Sequence, residues 1–405
     1  MSRSMSPLDA RNEKLLASLR EKRELKSLQT IDGPMGPVVR LRQPDGTVRE
    51  ALCFCSNNYL GLANHPEVVE AGLKALRDYG AGTASVRFIC GTFTPHHTLE
   101  ERLAQMLGVE AAYSFVSCWN ATEAVFPTLA EPTDAIISDE LNHACIIDSI
   151  RLAGVIRKGV HKFIYRNNDI AGLEARLAEA RAGVGPDGVI FVVTDGVFSM
   201  EGSIARLPEM RALCTRFNAS LVVDDSHGTG VMGRTGRGTH EHYDMPGRSV
   251  DLFTGTLGKA LGGAAGGFVA GPRSAVDVIV QRARPTLFSN ALPATVAASA
   301  DKAVEILMNE PGRVARLHAN VASARKKIRE AGFDVLESPT AICPIIVHET
   351  ARAIAMSRRL LELGVYVIGF GYPVVPEGHA RLRVQISAAH EEPHIDALVG
   401  ALKRM

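Results

Sequence analysis

Lys259 lies in Asp251-Leu-Phe-Thr-Gly-Thr-Leu-Gly-Lys259, followed by Ala-Leu-Gly-Gly-Ala-Ala-Gly-Gly267. Lysine normally keeps its ammonium in water, and small uncharged neighbours give it little solvation. Desolvation lowers a lysine pKa and frees a neutral amine to attack a carbonyl. Alone, the stretch also reads as a surface lysine in a glycine-rich loop. Upstream, Ser220-Leu-Val-Val-Asp224-Asp225-Ser226-His227 reads as a buried strand ending in an acid, with a histidine three residues on. An acid at a strand end and a downstream lysine in such a loop are what pyridoxal phosphate requires. The lysine holds the aldehyde as a Schiff base, and Asp224 keeps the pyridine nitrogen protonated.

Other residues could join them. Ser117-Cys118-Trp119-Asn120 ends an apolar run and opens a helical stretch. That places amides and a hydroxyl where a phosphate would bind, or where an ordinary N-cap would form. His143, in Asp139-Glu-Leu-Asn-His143-Ala-Cys, could stack on a pyridine ring or could be a satisfied core histidine. Ser199 follows another apolar run and could donate to a cofactor oxygen or sit in a turn. Arg381 and Arg383 share one face of a strand, where arginine can grip a carboxylate through two parallel hydrogen bonds or face solvent.

Three competing readings fall away. Gly228-Thr-Gly230-Val-Met-Gly233 fits a dinucleotide fingerprint, but Arg-Thr-Gly-Arg-Gly after it cannot open a helix well. Asp225-Ser226-His227 lacks the Gly-x-Ser-x-Gly elbow of a hydrolase. His96-His97 and His240-x-His242 have no acidic or thiol partners at metal spacing, so they read as solvated loops and no metal is expected.

These residues need a scaffold. From about residue 95 to 275, helical patterns alternate with apolar runs at 111–116, 134–137, 189–193, 221–223 and 267–270. This is the signature of an α/β domain with a mainly parallel sheet, whose ligands sit beyond the carboxyl ends of the strands. Before it come a charged helical pattern over 7–29 and a hairpin around Asp45-Gly46. His65-Pro66 opens a helix that ends before Gly80, and a glycine-rich loop runs from Gly80 to Gly91. From about residue 310, a helix over 314–331, a strand over 342–347, a helix over 351–363, strands at 365–368 and 381–386 and a last helix from Pro393 predict an α+β unit. The expected division is an N-terminal segment (1–55), a large cofactor-binding domain (56–300) and a C-terminal domain (301–405).

With 405 residues, 46% hydrophobic and 22% charged, the chain has the make-up of a globular enzyme too large for one ordinary core. Its formal charge of +1 gives no reason to expect nucleic acid or an anionic membrane. No apolar run approaches the ~18 residues of a membrane span. The first residues, Met-Ser-Arg-Ser-Met-Ser-Pro, lack a signal peptide's apolar core. Seven scattered cysteines fit a reducing cytoplasm, with Cys53 and Cys55 read as core thiols on a strand.

Three stretches carry a family resemblance: Asp224-Asp-Ser-His227-Gly, Thr254-Gly-Thr-Leu-Gly-Lys259-Ala-Leu-Gly-Gly and Arg383-Val-Gln-Ile-Ser-Ala-Ala-His390. Over about four fifths of its length the chain resembles the α-oxoamine synthases, fold-type-I pyridoxal-phosphate enzymes that transfer an acyl group from coenzyme A to an amino-acid α-carbon. Ala84-Ser-Val-Arg-Phe-Ile-Cys-Gly-Thr92, Asp195-Gly-Val-Phe-Ser-Met200 and Tyr372-Pro-Val-Val-Pro376 point to the branch that acetylates glycine. One stretch departs: Ser117-Cys-Trp119-Asn-Ala-Thr-Glu123-Ala stands where that branch usually has Ser-Cys-Phe-Asp-Ala-Asn-Gly-Gly. The acyl chain and the amino acid (glycine, serine or alanine) therefore stay open, and a fold-type-I aldolase or aminotransferase is the more distant alternative.

The resemblance implies a seven-stranded sheet in the large domain and a role for each residue. Lys259 carries the cofactor and moves the α-proton, Asp224 pairs with the pyridinium, and His143 stacks on the ring. His227 and Ser199 contact the ring oxygen region. Ser117, Cys118, Trp119 and Thr256 help hold the cofactor, Thr256 at its phosphate, and Ser289 reaches the phosphate of a neighbouring subunit. Asn58 and Arg383 hold the amino-acid carboxylate. Arg383 is preferred to Arg381 because the family's carboxylate arginine lies seven residues before the histidine of Ala-Ala-His390. The family's active site lies at a dimer interface, so a homodimer is expected.

Overall fold

The computed structural model describes residues 5–21, 25, 28–372 and 374–405. Strand β1 (Thr30–Ile31) leads into a hairpin of β2 (Val38–Arg42) and β3 (Val48–Cys53), turning at Asp45-Gly46 as its sequence predicts. Ahead of them, helix α1 (Pro7–Glu21) buries no side chain. It stops short of the expected 7–29, and residues 22–24, 26 and 27 of that pattern lie outside the described residues. Helix α2 (Pro66–Tyr79) begins with proline in its first turn and ends at Gly80, whose φ of 77° suits a residue without Cβ. The glycine-rich loop after it is not wholly irregular, since Arg87–Gly91 winds into one π-helical turn. Arg87 anchors that turn through a buried ion pair with Glu100.

Helix α3 (Thr94–Leu107) precedes the large sheet. Its elements are β4 (Ala111–Phe115), α4 (Cys118–Leu129), β5 (Ala135–Asp139), α5 (Ala144–Ile156), β6 (His161–Tyr165), α6 (Ile170–Val184), β7 (Ile190–Asp195), α7 (Leu207–Arg216), β8 (Ser220–Asp224), the short α8 (Thr239–His242), β9 (Leu252–Thr256) and β10 (Gly267–Gly271). The seven strands run in the order β4-β10-β9-β8-β7-β5-β6, and β10 alone pairs antiparallel to its neighbours. Residues of β5, β7 and β8 are almost all buried, as strands covered on both faces must be. Strand β6 had no sequence signal: it is an edge strand, His-Lys-Phe-Ile-Tyr, with an exposed flank and hence no apolar run.

Helices α9 (Arg273–Arg282), α10 (Arg284–Phe288), α11 (Ala294–Asn309) and α12 (Pro311–Glu330) lead to β11 (Ile342–His348), α13 (Thr350–Glu362), β12 (Val365–Tyr366), β13 (Ile368–Phe370), β14 (Ala380–Gln385) and α14 (Glu392–Leu402). The expected single strand at 365–368 is two strands in two sheets. Strand β12 adds to the N-terminal hairpin beside β3, and β13 joins β11 and β14. Val367 between them is fully buried. Six residues, Val365 to Phe370, serve two sheets, a break that periodicity cannot reveal.

Gly228–Gly233 forms turns and no helix opens on it, the four-residue α8 starting only at Thr239, so the dinucleotide reading fails on geometry too. His96 and His240 are buried, not solvated as expected. The His96 ring takes the Phe93 amide and meets the Leu292 carbonyl, and the His240 ring lies against Phe253. His97 and His242 are exposed. Residue 373 of the Tyr372–Pro376 stretch lies outside the described residues. Among the described residues no helix is long and apolar enough to cross a membrane.

Candidate active site

The carboxyl ends of β5, β7, β8 and β9 open onto one cavity of about 210 Å³. Cys118, Trp119, His143, Ser199, Asp224, His227, Thr256 and Lys259 all line it, so eight residues singled out in the sequence come together. Ser117 borders them as the N-cap of α4, its hydroxyl accepting from the Asn120 amide at 3.1 Å. Glycine at 267 lets β10 pass under that helix start. A Cβ there would lie 2.4 Å from the Cys118 backbone nitrogen and Cα.

Asp224 ends β8 with three partners. Thr254 Oγ1 donates to Oδ2 at 2.6 Å, the Ser226 amide donates to Oδ1 at 3.1 Å, and the Cys118 thiol lies 3.4 Å from Oδ2. Asp195 stands beside it as its register partner on β7, deeply buried, accepting the His143 amide at 2.9 Å. Burial, reinforced by the charge of Asp224, pushes the Asp195 carboxyl well above the usual carboxylate range. Its position was readable, because it also ends an apolar strand in an acid. His143 caps α5, its ring nitrogen Nδ1 accepting the Cys145 amide at 3.2 Å, and its ring meets Trp119 edge to face.

Lys259 Nζ lies 3.0 Å from His227 Nε2. Burial lowers the lysine pKa from its ordinary value, with Asp224 opposing. Burial also holds His227 well below the ordinary histidine range, helped by the charges of Lys259, Arg383 and His143. On the far side of the ring, His227 Nδ1 lies 2.8 Å from Tyr59 Oη. Gln385 Nε2 donates to that same oxygen at 3.0 Å and to Asn57 Oδ1 at 2.5 Å. Tyr59, Thr254 and Gln385 were not anticipated, since each touches the site only through another side chain.

Strand β14 separates the two arginines. Arg381 is engaged, donating to the Met200 carbonyl at 2.9 Å and pairing with Glu201 at 3.2 Å. Arg383 is as buried, yet its Nε and Nη2 have no partner. Desolvation lowers its pKa, and its charge is felt at Lys259, His227 and Tyr59. Three further expected residues, Arg383, Asn58 and Ser289, are not among those lining the cavity. Asn58 Oδ1 accepts the Ala63 amide at 3.1 Å and closes its own loop. Ser289 follows α10, in a separate crevice with Arg87 and Tyr113.

Pyridoxal phosphate can be tested against these features. A buried amine of lowered pKa, a carboxylate held by three donors, an imidazole on the cavity wall and an orphaned guanidinium fit an aldehyde, a pyridinium, an aromatic ring and a substrate carboxylate. The residues present fit the group.

The family profile described as aminotransferase class I and II matches residues 49–402. The chain is similar to the mitochondrial 2-amino-3-ketobutyrate coenzyme A ligase of Homo sapiens, 46% identical over 93% of this chain and 87% of that one. It is also similar to the 8-amino-7-oxononanoate synthase of Geobacter sulfurreducens, 42% identical over 96% of each. A solved high-resolution structure of SPT with PLP as the internal aldimine superposes with a TM-score of 0.90, at 27% identity over 98% of each chain.

Proposed function

Because the chain belongs to the aminotransferase class I and II family, within its α-oxoamine synthases, we propose that it is a pyridoxal-phosphate-dependent C-acyltransferase. It joins glycine to the acetyl group of acetyl-CoA and releases 2-amino-3-oxobutanoate and CoA. The observation that carries this reading is the Lys259–His227 contact together with an unpartnered Arg383 whose charge is felt at both. One group can move a proton, one can donate to an oxygen, and one can grip a carboxylate.

Lys259, Asp224, His143, Ser199, Thr256 and the Ser117–Trp119 helix start would hold pyridoxal phosphate, which would supply the electron sink that makes the glycine α-carbon nucleophilic. Asp224 supplies the negative charge that keeps the ring nitrogen protonated. Thr254, Ser226 and Cys118 fix the direction of that charge. Arg383 binds the glycine carboxylate and so fixes which Cα bond faces Lys259. Lys259, whose pKa burial lowers so that more of its amine is neutral than in an exposed lysine, takes the α-proton. The α-carbon attacks the thioester carbonyl, His227 donates to the oxygen as charge builds there, and CoA leaves as the thiol.

A longer acyl-CoA is the second reading. Trp119 and Glu123 stand where the glycine-acetylating branch usually has smaller or uncharged residues, and the 42% identity to an oxononanoate synthase keeps it in view. Purified protein with pyridoxal phosphate, screened against acyl-CoAs of increasing length with glycine, serine and alanine, separates them by thiol release. Acetyl-CoA with glycine is expected to give the highest kcat/KM, and preference for a long chain would overturn the acetyl assignment.

The active unit is a homodimer in this reading. The Arg87–Gly91 turn packs on α10 and holds out Phe88, Ile89 and Phe288, three exposed apolar side chains beside Ser289. Such a patch supports association of two copies, with Ser289 serving the partner's cofactor. The division at residues 55/56 and 300/301 and a cytoplasmic location, supported by seven free cysteines, complete the proposal.

A further inference from the structure

His227 can aid the thioester only if its Nε2 carries a proton, and something must decide that. The ring is buried, and burial keeps it uncharged, so it holds a single proton on one of two nitrogens. Tyr59 is fully buried and keeps its phenol proton, since burial raises its pKa. Its oxygen accepts from Gln385 Nε2 at 3.0 Å. The phenol proton then has two possible acceptors: His227 Nδ1 at 2.8 Å and Asn57 Oδ1 at 3.3 Å. Asn57 Oδ1 already takes the second Gln385 amide hydrogen at 2.5 Å, so the shorter bond to the ring wins. Nδ1 then accepts, and the ring proton belongs on Nε2, 3.0 Å from the Lys259 amine. That amine, depressed by burial, can accept it.

We propose that Tyr59, oriented by Gln385, is the positioning residue that holds His227 as the tautomer with its proton on Nε2. The inference rests on the acyl-transfer reading for its purpose, but its geometry stands apart from it. Gln385 lies two residues beyond Arg383 on β14, on the same face. The strand that grips the carboxylate therefore also sets the ring. The loop that carries Tyr59 is tied to β14 and the chain beyond it. The Gln385 amide donates to the Phe54 carbonyl, the Ser387 hydroxyl to the Asn58 carbonyl, and the Ala388 amide to the Tyr59 carbonyl, at 2.8, 2.7 and 2.7 Å. Displacement of β14 would disturb both functions together.

The test uses holoenzyme with ¹⁵N-labelled histidine, His227 being assigned by its loss in His227→Asn. In the unsubstituted protein, Nε2 should resonate as a protonated nitrogen and Nδ1 as an unprotonated one. Protonated Nδ1 overturns the proposal. Tyr59→Phe and Gln385→Leu should each give a mixture of tautomers. Thiol release from acetyl-CoA should then fall on the order of tenfold to a hundredfold, less than the ~10²–10³ of a donor removed outright because some of the rings keep the proton on Nε2. Glycine KM and α-deuterium exchange of glycine, which need no thioester, should stay within about twofold, because they draw on Lys259 and Arg383. Unchanged release, or equal losses in exchange and release, would refute a tautomer-setting role. If no acyl-CoA releases thiol, the acyl-transfer reading fails while the nitrogen spectrum still decides the role of Tyr59.

Discussion

An unpaired guanidinium inside a protein costs several kcal/mol, and Arg383 carries one whose charge is felt at Lys259 and His227. In the proposed reading a substrate carboxylate would relieve that cost, so the residue should matter to binding more than to folding. Arg383→Lys should raise the glycine KM on the order of tenfold or more, because an ammonium cannot reproduce a two-bond grip. Arg381→Lys should leave glycine KM nearly unchanged and lower stability by about 1–3 kcal/mol, since it loosens the Met200 and Glu201 contacts. Steady-state kinetics and urea unfolding of the two variants decide; a reversed order would reassign the carboxylate site. At Lys259, borohydride treatment of the yellow holoenzyme should fix the cofactor to that side chain alone, as peptide mapping can show. Lys259→Ala should bind cofactor but lose ~10²-fold or more in turnover, the usual worth of a placed proton carrier. Labelling of another lysine would place the chemistry elsewhere.

At the scale of elements, the site depends on how closely β10 passes beneath α4. The start of α4 carries the Ser117 cap and the Cys118 contact to Asp224, so displacing it disturbs the carboxylate proposed to serve the pyridinium. Gly267→Ala puts a methyl against backbone that cannot swing away. It should destabilise the protein by about 1–3 kcal/mol, the usual scale of overpacking, and weaken cofactor binding at the same time. A variant with normal stability and normal cofactor affinity, measured by denaturation and absorbance titration, would show that the helix start can shift freely. Elsewhere, Arg325 ties α12 to the turn before β11 by donating to the Leu336, Thr340 and Ile342 carbonyls. Those bonds seat β11, against which β14 is laid.

The whole molecule should respond to acid through its buried histidines. His240 and His390 are held neutral by burial, each with a pKa lowered to about 4. A depressed folded-state pKa means stability present above the unfolded value near 6.5 and lost as pH falls towards 4. Each histidine contributes about 3 kcal/mol across that window. His240→Phe, packed against Phe253 in place of an imidazole with an unpartnered Nδ1, should therefore lose less stability than the unsubstituted protein between pH 7 and pH 4. Parallel acid limbs in the two proteins would deny His240 that role. Association is testable on the same scale. Phe288→Asp, at an exposed position, should shift sedimentation from dimer to monomer and lower activity per chain, whereas an unchanged dimer would locate the interface elsewhere.

Lys259, Asp224, His227 and the alternation of helices with apolar runs were legible because local composition determines them. A lysine among glycines and an acid closing a valine run keep their meaning wherever the chain goes. So did the ends of α2, set by Pro66 and Gly80. Strand β6 was not legible, because an edge strand need not be apolar. Nor was the split at Val367, where one extended stretch serves two sheets. Sequence spacing and family resemblance preferred Arg383 over Arg381, but alternation gave them equal standing. The fold distinguished them by bringing Glu201 and the Met200 carbonyl to one and leaving two nitrogens of the other without partners. Tyr59 and Gln385 likewise acquire a role only when residues 168 and 326 positions from their partners meet. A buried polar atom must find a partner in space, and pairing across such separations is decided by packing.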